Sequence, residues 1–377
     1  MKKIKIVHTA DLHFDTPFKE VGEVQSKINK EELKEIFMDI IHLCKNESVE
    51  ILLLAGDIFD NYTLNRETLY FIEKAFEKIP NTRVFISPGN HDPYSNNNFY
   101  KLINWPSNVY IFKENIEQVE IKELGTTIWG GAFNDKYVRE SMLEGFSKKT
   151  DKINIMVLHG EIANSKEGNE YNPITLKEIS ESGMDYIALG HRHGFSGINK
   201  VQSTYYAYSG CPQGRGFDEL GDKGVIYGYI SKGAIELDFI KTSKRNYEEI
   251  KIDISKAFTY EEIINIILEK ISEENRRKNL YKIILSGEIS DKFNIDEGTL
   301  KDKISSKFYF CKLIDKTTIE IDLEKITNGY SMKSIFAQKL IKELEKAETD
   351  EDKEIIRMAL KIGLSSLTEG EVKIDDY

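Results

Sequence analysis

The sequence predicts an α/β fold over residues 1–245, with a central, mostly buried sheet or two sheets layered on each other. Two observations predict it. Strand-like apolar runs alternate with helical patterns, which is typical of parallel strands joined by helices. The strand-like runs are also continuously apolar, as expected of strands that are covered on both faces.

The elements of this region follow in order along the chain. The segments KIKIVHTAD, VEILLLAGD and TRVFISPGNHD each predict a strand that runs into a polar loop. Residues 30–45 and the segment RETLYFIEKAFEKI predict the two helices between them. The first helix should bury one apolar face, formed by Leu33, Ile36, Phe37, Ile40 and Ile41. INIMVLHGE and MDYIALGHRH repeat the strand pattern, and STYYAYSG and GVIYGYI predict shorter strands.

The composition changes near residue 243, where the polar segment TSKRNYEE predicts a linker. A small α+β module is expected over residues 246–328, and a third segment over residues 329–377. That segment should contain two amphipathic helices, about 331–346 and 350–364. Their apolar positions are Ile335, Phe336, Leu340, Leu344, Ile355, Met358, Leu360 and Ile362.

Charge and hydropathy narrow the class of protein. The net charge of −11 disfavours a general nucleic-acid coat protein, which would be basic. The negative net charge is compatible with an enzyme that acts on phosphates, because bound metal ions add positive charge locally. No apolar run approaches the roughly 20 residues that cross a membrane, and Asp11 interrupts the first apolar stretch too early for a signal peptide. We therefore expect a cytoplasmic protein without a membrane segment.

Five of the predicted strands are followed directly by side chains that can bind a metal. These are Asp11 and His13; Asp57 and Asp60; Asn90, His91 and Asp92; His159; and His191 and His193. A lone histidine at a strand end is usually structural, but five of the seven histidines in the chain lie in these loops. Because ligands of α/β sheets bind beyond the carboxyl ends of the strands, we expect the five loops to form one site.

The types of candidate ligand narrow the choice of metal ion. Imidazoles mixed with carboxylate and amide oxygens, without a thiolate, suit Mn²⁺, Fe²⁺ or Zn²⁺. Seven candidate ligands suit two ions better than one: Asp11, His13, Asp57, Asn90, His159, His191 and His193. Two ions about 3.5–4 Å apart form the clamp that many phosphatases and nucleases use.

The ordered motifs D-x-H, G-D, G-N-H-D, H and G-H-x-H resemble those of the calcineurin-like metallophosphoesterases. The segments HTADLHFDTPF and SGCPQGRGFDELGDKG are similar to those of the SbcD and YhaO-like DNA repair exonucleases. The resemblance implies a layered α/β/β/α sandwich, a small α+β capping domain that helps to bind DNA, and C-terminal helices. It is strong in the first domain and weak after residue 245.

The resemblance also implies roles for the matching residues. One metal would be bound by Asp11, His13 and His193, and the other by Asn90, His159 and His191. Asp57 would bridge the two ions, which we expect to be Mn²⁺, with Fe²⁺ and Zn²⁺ as alternatives. His91 would be catalytic, facing the substrate phosphate, and Arg215 would contact a DNA phosphate or lie in a surface turn.

The predicted function is therefore metal-dependent exonuclease or endonuclease activity on DNA in repair. A phosphatase or a small-molecule phosphodiesterase is the alternative from the same chemistry. A scaffold subunit with a vestigial site is a third interpretation, and the complete set of seven ligands counts against it. The resemblance adds an SbcC-like coiled-coil ATPase as a partner of the last two helices, which otherwise pack on the chain itself. A homodimer is a further assembly to consider.

Overall fold

The structure is a computed structural model, which describes residues 2–60, 65–95, 99–148, 150–290, 293, 295–319 and 331–369. The chain divides into two compact units, Met1–Asn246 and Tyr247–Tyr377. The division falls within the polar segment TSKRNYEE. A further division of the second unit at residue 328, into a capping module and a docking segment, stays a prediction.

The first unit contains fourteen strands and three α-helices within its described residues. The strands are β1 (Ile4–Thr9), β2 (Ile51–Leu54), β3 (Arg83–Ile86), β4 (Val109–Ile111), β5 (Glu117–Ile121), β6 (Thr126–Gly130), β7 (Ile153–His159), β8 (Glu161–Ile162), β9 (Pro173–Ile174), β10 (Tyr186–Gly190), β11 (Asn199–Val201), β12 (Thr204–Tyr208), β13 (Gly224–Ser231) and β14 (Ala234–Lys241). The helices are α1 (Glu23–Asn46), α2 (Arg66–Glu77) and α3 (Leu176–Glu181). The first helix begins earlier than predicted, at Glu23, and buries the predicted apolar face.

Twelve of these strands form two six-stranded sheets. The first sheet has the order β14-β13-β1-β2-β3-β4, and the second has the order β11-β12-β10-β7-β6-β5. Strands β1 to β4 are parallel, as are β6, β7, β10 and β12, whereas β5, β11 and β13 pair antiparallel with their neighbours. The parallel centre of each sheet therefore directs its loops to one edge.

Three apolar layers fix the stacking of the sheets and helices. The layer between the two sheets contains, among others, Ile6, Ile51, Leu53, Ile155, Val157 and Ala188. The layer between the first sheet and helices α1 and α2 contains Val7, Leu52, Leu54, Phe37 and Ile72. The layer between the second sheet and α3 contains Met156, Leu158, Ile187, Leu189 and Ile179. Alternate residues of one strand thus enter different layers, and the predicted layered α/β fold is confirmed.

The second unit is a smaller α/β arrangement and not the predicted α+β module, because its three-stranded sheet is parallel and helices connect the strands. Its parallel sheet has the order β15-β16-β18, from β15 (Tyr247–Asp253), β16 (Leu280–Ser286) and β18 (Phe310–Asp315). A short parallel pair joins β17 (Glu288–Ile289) to β19 (Thr318–Ile319). The helices are α4 (Tyr260–Lys270), α5 (Glu273–Lys278), α6 (Glu297–Ser305), α7 (Met332–Lys346) and α8 (Asp350–Glu369).

The two C-terminal helices divide their apolar side chains between a packed and an exposed set. Phe336, Leu340 and Leu360 pack with Ile319 in one small cluster. In contrast, Ile335 and Ile355 are exposed, together with Met332, Met358 and Leu367. Packing within the second unit therefore accounts for only part of their apolar surface. Across the described residues, no helix is both long and apolar enough to cross a membrane.

Candidate metal centre

The loops that follow five strands meet at one edge of the two stacked sheets. Strands β1, β2 and β3 of the first sheet lead into the loops with Asp11, Asp57 and Asn90. Strand β7 of the second sheet ends at His159, and β10 leads directly into His191. The Nδ1 atom of His159 lies 2.9 Å from the Ala55 carbonyl oxygen, and the His191 amide donates to the Asp11 carboxylate at 3.1 Å. These contacts join the two sheets through the predicted ligands themselves.

Four of the seven predicted ligands have a backbone conformation that side chains rarely adopt. The φ angles are 53° at Asp11, 45° at His13, 51° at Asp57 and 104° at His191. Each such residue costs about 1–3 kcal/mol, so the surrounding structure must hold it there. Backbone strain of this kind concentrates at functional sites, where it directs side chains to a common centre.

Asp57 lies at the middle of the cluster and is 1% exposed. Its Oδ1 accepts from the His91 amide at 2.9 Å. Its Oδ2 lies 3.4 Å from Nε2 of His159 and 3.7 Å from Nε2 of His13. A Cβ on Gly89 would stand 2.2 Å from Asp57 Oδ1, so only glycine allows the loop after β3 to approach this closely. The central carboxylate is thus packed against loops from both sheets.

His13 is the side chain whose surroundings point most directly to a cation. Its side chain is fully buried, and within the described residues neither of its ring nitrogens has a hydrogen-bond partner. Leaving a buried polar atom unpaired costs about 1–3 kcal/mol. Both nitrogens face carboxylates at 3.7 Å, Nε2 facing Asp57 and Nδ1 facing Asp60. A metal ion bound between them would satisfy an imidazole nitrogen that otherwise has no partner.

His159, at the end of a strand of the other sheet, also has a ring nitrogen that could bind a metal ion. Its Nδ1 lies beside the Ala55 carbonyl, which can only accept, so this contact favours the tautomer with the proton on Nδ1. Its Nε2 then presents a lone pair, 2.9 Å from Asn90 Oδ1 and 3.4 Å from Asp57 Oδ2. Three acceptors facing one another are stabilised by a cation between them.

The geometry forms three groups of ligand atoms that each lie within 4.8 Å of one another. One group contains Asp11, His13 and His193, and another contains Asp11, Asp57 and His159. His191 stands beside the second group, with its ring centre 5.3 Å from that of His159. Asn90 joins it through its contact with His159. All seven predicted ligands therefore lie in one cluster, and the donor types fit a divalent ion of the Mn²⁺, Fe²⁺ or Zn²⁺ kind.

Burial prepares these histidines for metal binding. It lowers the pKa of His13 to about 4 and that of His191 to about 4. Burial opposes the ionisation of Asp57, but the facing His159 and His13 outweigh it and lower its pKa to about 2. At neutral pH His13 and His191 are therefore neutral and Asp57 is ionised, which are the protonation states that metal binding requires.

The third group of ligand atoms contains His13, Asp60 and His91. His91 Nδ1 lies 3.0 Å from Asp60 Oδ1, and the His91 side chain is 34% exposed. Burial opposes its protonation, but the hydrogen bond to Asp60 and the charge of Asp57 outweigh it and raise its pKa. His91 is therefore a partly exposed imidazole that is held from behind by a carboxylate.

Asp92 connects the loops after β2 and β3. Its carboxylate accepts backbone hydrogen bonds from Gly89 at 2.7 Å and from Ile58 at 2.7 Å. It also accepts from the amides of Asp57 and Phe59 and from the Tyr100 hydroxyl. This buried carboxylate fixes the position of Asp57 relative to the Asn90 and His91 loop.

Arg215 lies at the cluster, but its guanidinium is paired with protein groups. Its Nη2 donates to Glu219 Oε1 at 2.6 Å and lies 3.0 Å from His193 Nδ1. Glu219 itself lies 2.7 Å from His193 Nδ1. The sequence gives no periodic signal for Glu219, and only its place four residues after Arg215 in RGFDE could have drawn attention to it.

The two remaining histidines lie outside the cluster. His8 is fully buried in β1, with Nδ1 2.9 Å from the Tyr186 hydroxyl and Nε2 3.2 Å from the Leu189 carbonyl oxygen. His42 is exposed on α1. The structure therefore gives His8 a place in the core between strands and His42 a place on the surface.

Comparison with known proteins agrees with this geometry. The family model described as calcineurin-like phosphoesterase matches residues 4–195. The chain is 27% identical over 296 residues to the uncharacterized metallophosphoesterase YhaO of Bacillus subtilis, a match that covers 75% of this chain and 72% of that protein. It is 25% identical over 256 residues to SbcD, a subunit of the nuclease SbcCD of Staphylococcus epidermidis, covering 58% and 66%.

Among solved structures, the chain is similar to TT1561 of Thermus thermophilus. That match has a TM-score of 0.40 and 10% identity, and it covers 63% of this chain and 99% of the other. The family model spans the segment from β1 through all seven predicted ligands. The chain belongs to the family of calcineurin-like phosphoesterases.

Proposed function

We propose that this protein is a nuclease that hydrolyses phosphodiester bonds in DNA with two divalent metal ions. The observation that carries the proposal is the convergence of seven potential ligands from five loops around the buried Asp57. A second observation concerns access, because the His91 and His193 side chains are 34% and 30% exposed while those of His13 and His159 are fully buried. One side of the cluster is therefore open to a substrate.

Each metal would have its own set of ligands. Asp11, His13 and His193 would hold one ion, and Asn90, His159 and His191 the other. Asp57 would bridge them, which the distances from its Oδ2 to both His13 and His159 support. When bound, the ions would supply a water activated for attack and positive charge for the phosphate. We expect Mn²⁺, since the ligands are imidazoles and oxygens without a thiolate.

The charge of the loaded site suits a phosphodiester. Two divalent ions bring four positive charges, and Asp11 and Asp57 return two, so about two positive charges remain. The neutral imidazoles add none. A site of this charge attracts a phosphate although the whole chain carries a net charge of −11.

His91 would act on the substrate directly. It is adjacent to Asn90 on the loop after β3, and its Nδ1 lies 3.0 Å from Asp60 Oδ1. With Nδ1 directed at Asp60, Nε2 would face the substrate, where it would orient the phosphate or donate a proton to the leaving oxygen. Asp60 is then a positioning residue that holds the ring and favours its protonated form by raising the pKa of His91.

The choice of DNA as substrate rests on the relatives and on the open side of the cluster. One of the reported relatives is a nuclease subunit, and the match to it covers 58% of this chain. A phosphatase or small-molecule phosphodiesterase is the alternative from the same chemistry. Arg215 could contact a DNA phosphate only if its guanidinium kept a free edge beside Glu219 and His193.

The test is hydrolysis of end-labelled duplex and single-stranded oligonucleotides by the purified protein with Mn²⁺, with p-nitrophenyl phosphate as a small monoester for comparison. We expect shortened DNA and little turnover of the monoester. Asp57→Asn should abolish cleavage. Asp185→Asn is the matched control, since Asp185 is a buried carboxylate at the opposite end of β10 from His191. Rapid turnover of the monoester with intact DNA would instead identify a phosphatase.

The exposed apolar side chains of α7 and α8 support a partner protein as a second part of the proposal. Met332, Ile335 and Ile355 are 75%, 49% and 60% exposed, although both helices also pack against Ile319. One reported relative is by its name a subunit of a complex. The proposed partner is a coiled-coil ATPase of the SbcC kind, whose apolar seam would cover these side chains.

A further inference from the structure

The side chains around His193 differ from those around the other histidines of the cluster. His159 is oriented by the backbone carbonyl of Ala55. His191 has the Glu161 carboxylate near it, but at 3.8 Å, beyond hydrogen-bond distance. Of these three, His193 has the shortest contact with a carboxylate, with Glu219 Oε1 2.7 Å from Nδ1. Its orientation therefore depends on a side chain, and a side chain can be substituted.

Glu219 is fixed in place by several donors. Its carboxylate accepts from the Arg215 amide at 2.8 Å and from the Arg215 guanidinium at 2.6 Å. The Cys211 thiol lies 3.6 Å from Oε2. The Glu219 side chain is 4% exposed and that of Arg215 is 15% exposed, so the ion pair is largely removed from water. Burying two charges is expensive, and such a pair is weak evidence for a role in stability.

The same loop also holds the backbone of His193. The carbonyl oxygen of His193 accepts from Lys223 Nζ at 3.1 Å and from the Cys211 amide at 3.3 Å. Lys223 is 5% exposed, so a second buried cation of this loop is directed at His193. The segment from Cys211 to Lys223 thus fixes both the main chain and the ring of one predicted ligand.

Two groups contact Nδ1 of this ring: Glu219 Oε1 at 2.7 Å, which only accepts, and Arg215 Nη2 at 3.0 Å, which only donates. Glu219 is the nearer of the two, and Arg215 Nη2 already donates to Glu219 at 2.6 Å. The carboxylate contact therefore favours a neutral His193 with its proton on Nδ1 and its lone pair on Nε2. An imidazole with its proton fixed in this way is ready to bind a metal through the other nitrogen. Asp11 and His13 offer their ligand atoms within 4.8 Å of the ligand atom of His193.

We propose that Glu219 is a positioning residue that fixes the tautomer and orientation of His193 and thereby sets the affinity of one of the two metal ions. Arg215 neutralises Glu219 and holds its carboxylate in line with the ring, in addition to any contact with substrate. The inference rests on the proposed two-metal function. It also predicts an asymmetry, because the ion held by Asn90, His159 and His191 makes no use of Glu219.

The experiment measures Mn²⁺ binding by isothermal titration calorimetry and the histidine tautomers by long-range ¹H–¹⁵N correlation in the metal-free, full-length protein. We compare the parent with Glu219→Gln and Glu219→Ala. The expected result is a loss of about 10–100-fold in affinity for one ion in Glu219→Ala, with the other ion unaffected. Glu219→Gln should bind that ion with intermediate affinity, because its amide oxygen can still accept from Nδ1. The His193 signal should leave the Nδ1-protonated form in Glu219→Ala.

Glu178→Gln is the matched control. Glu178 is a carboxylate in α3 whose side chain is 11% exposed and which is also paired with a cation, Lys166, at 2.6 Å. It should bind both ions as the parent does. If circular dichroism shows that Glu219→Ala is unfolded, the Mn²⁺ affinities of Glu219→Gln alone test the inference.

Unchanged affinity for both ions in the folded Glu219 variants would overturn the inference, and so would an unchanged His193 tautomer in Glu219→Ala. Equal weakening of both ions would also contradict it, because the asymmetry would be absent. A parent protein that binds two Mn²⁺ ions but leaves DNA intact would refute the nuclease proposal and leave the role of Glu219 standing.

Discussion

Replacing Asp60 with asparagine should move the alkaline limb of the pH–rate profile to lower pH. His91 carries its proton more readily because Asp60 accepts a hydrogen bond from its Nδ1 at 3.0 Å. Burial opposes that protonation, and the charges of Asp60 and Asp57 outweigh it, so the pKa of His91 is raised. If His91 donates a proton to the leaving oxygen, activity falls as the pH rises through this pKa.

The size of the shift follows from the negative charge that the acceptor of this hydrogen bond loses. A hydrogen bond to a charged group contributes about 1.5–3 kcal/mol. The His91 side chain is 34% exposed, so solvent screening reduces this contribution to its lower end, about 1.5 kcal/mol, which corresponds to roughly one pH unit. Asparagine has nearly the shape of aspartate and can still accept from Nδ1, so the ring should stay in place.

The assay measures kcat for DNA cleavage with Mn²⁺ between about pH 6 and pH 9, with the metal content of each variant determined in parallel. Asp185→Asn serves as the control, because that buried carboxylate contacts Asn154, Lys232 and Gly233, all outside the cluster. Its profile should coincide with that of the parent. A limb that stays in place in Asp60→Asn, or that moves to higher pH, would refute the role given to the Asp60–His91 pair.

Three further predictions follow from the structure. Asp57→Asn should lose both metal ions in elemental analysis, since Asp57 Oδ2 lies within 3.7 Å of histidines from both ligand sets; two retained ions per chain would exclude a bridging role. His8 should make the protein less stable in acid, because burial lowers its pKa from 6.5 to about 3, so the unfolded chain binds the proton first. The free energy of unfolding should fall from about pH 6.5 toward pH 3, by at most about 1.4 kcal/mol per pH unit. Denaturant titrations should show that this free energy depends less on pH in His8→Gln than in the parent. An equal pH dependence in both proteins would contradict the prediction. Ile355→Glu should abolish co-purification with a coiled-coil ATPase while leaving Mn²⁺ binding intact, because Ile355 is 60% exposed on α8. Undiminished co-purification would place the docking surface elsewhere. Leu102→Glu is the matched control, since Leu102 is an exposed apolar residue of the first unit.

The strand ends could be predicted from the sequence because they combine two strong local signals. A continuous apolar run marks a buried strand, and the polar residues that follow it mark a loop at its carboxyl end. This is why the sequence alone leads us to expect Asp11, Asp57 and His159 in one place. The sequence does not tell which sheet a strand joins, since β2 and β7 have the same apolar pattern but lie in different sheets. That choice depends on packing between distant segments.

Other features left no local signal. Helix α1 begins at Glu23, but Val24 and Ile28 near its start are exposed, so the apolar periodicity that marks the helix begins only later. Glu219 lies on a loop without a regular pattern, and its contact with His193 depends on the path of the chain across 26 residues. In the C-terminal helices, hydropathy alone could not separate Phe336, which packs, from Ile335, which is exposed.

The most direct test of the two-metal centre is anomalous diffraction from crystals grown with Mn²⁺. We expect two peaks about 3.5–4 Å apart, both in contact with Asp57. One peak should lie among Asp11, His13 and His193, and the other among Asn90, His159 and His191. A single peak, or two peaks that do not share Asp57, would contradict the account.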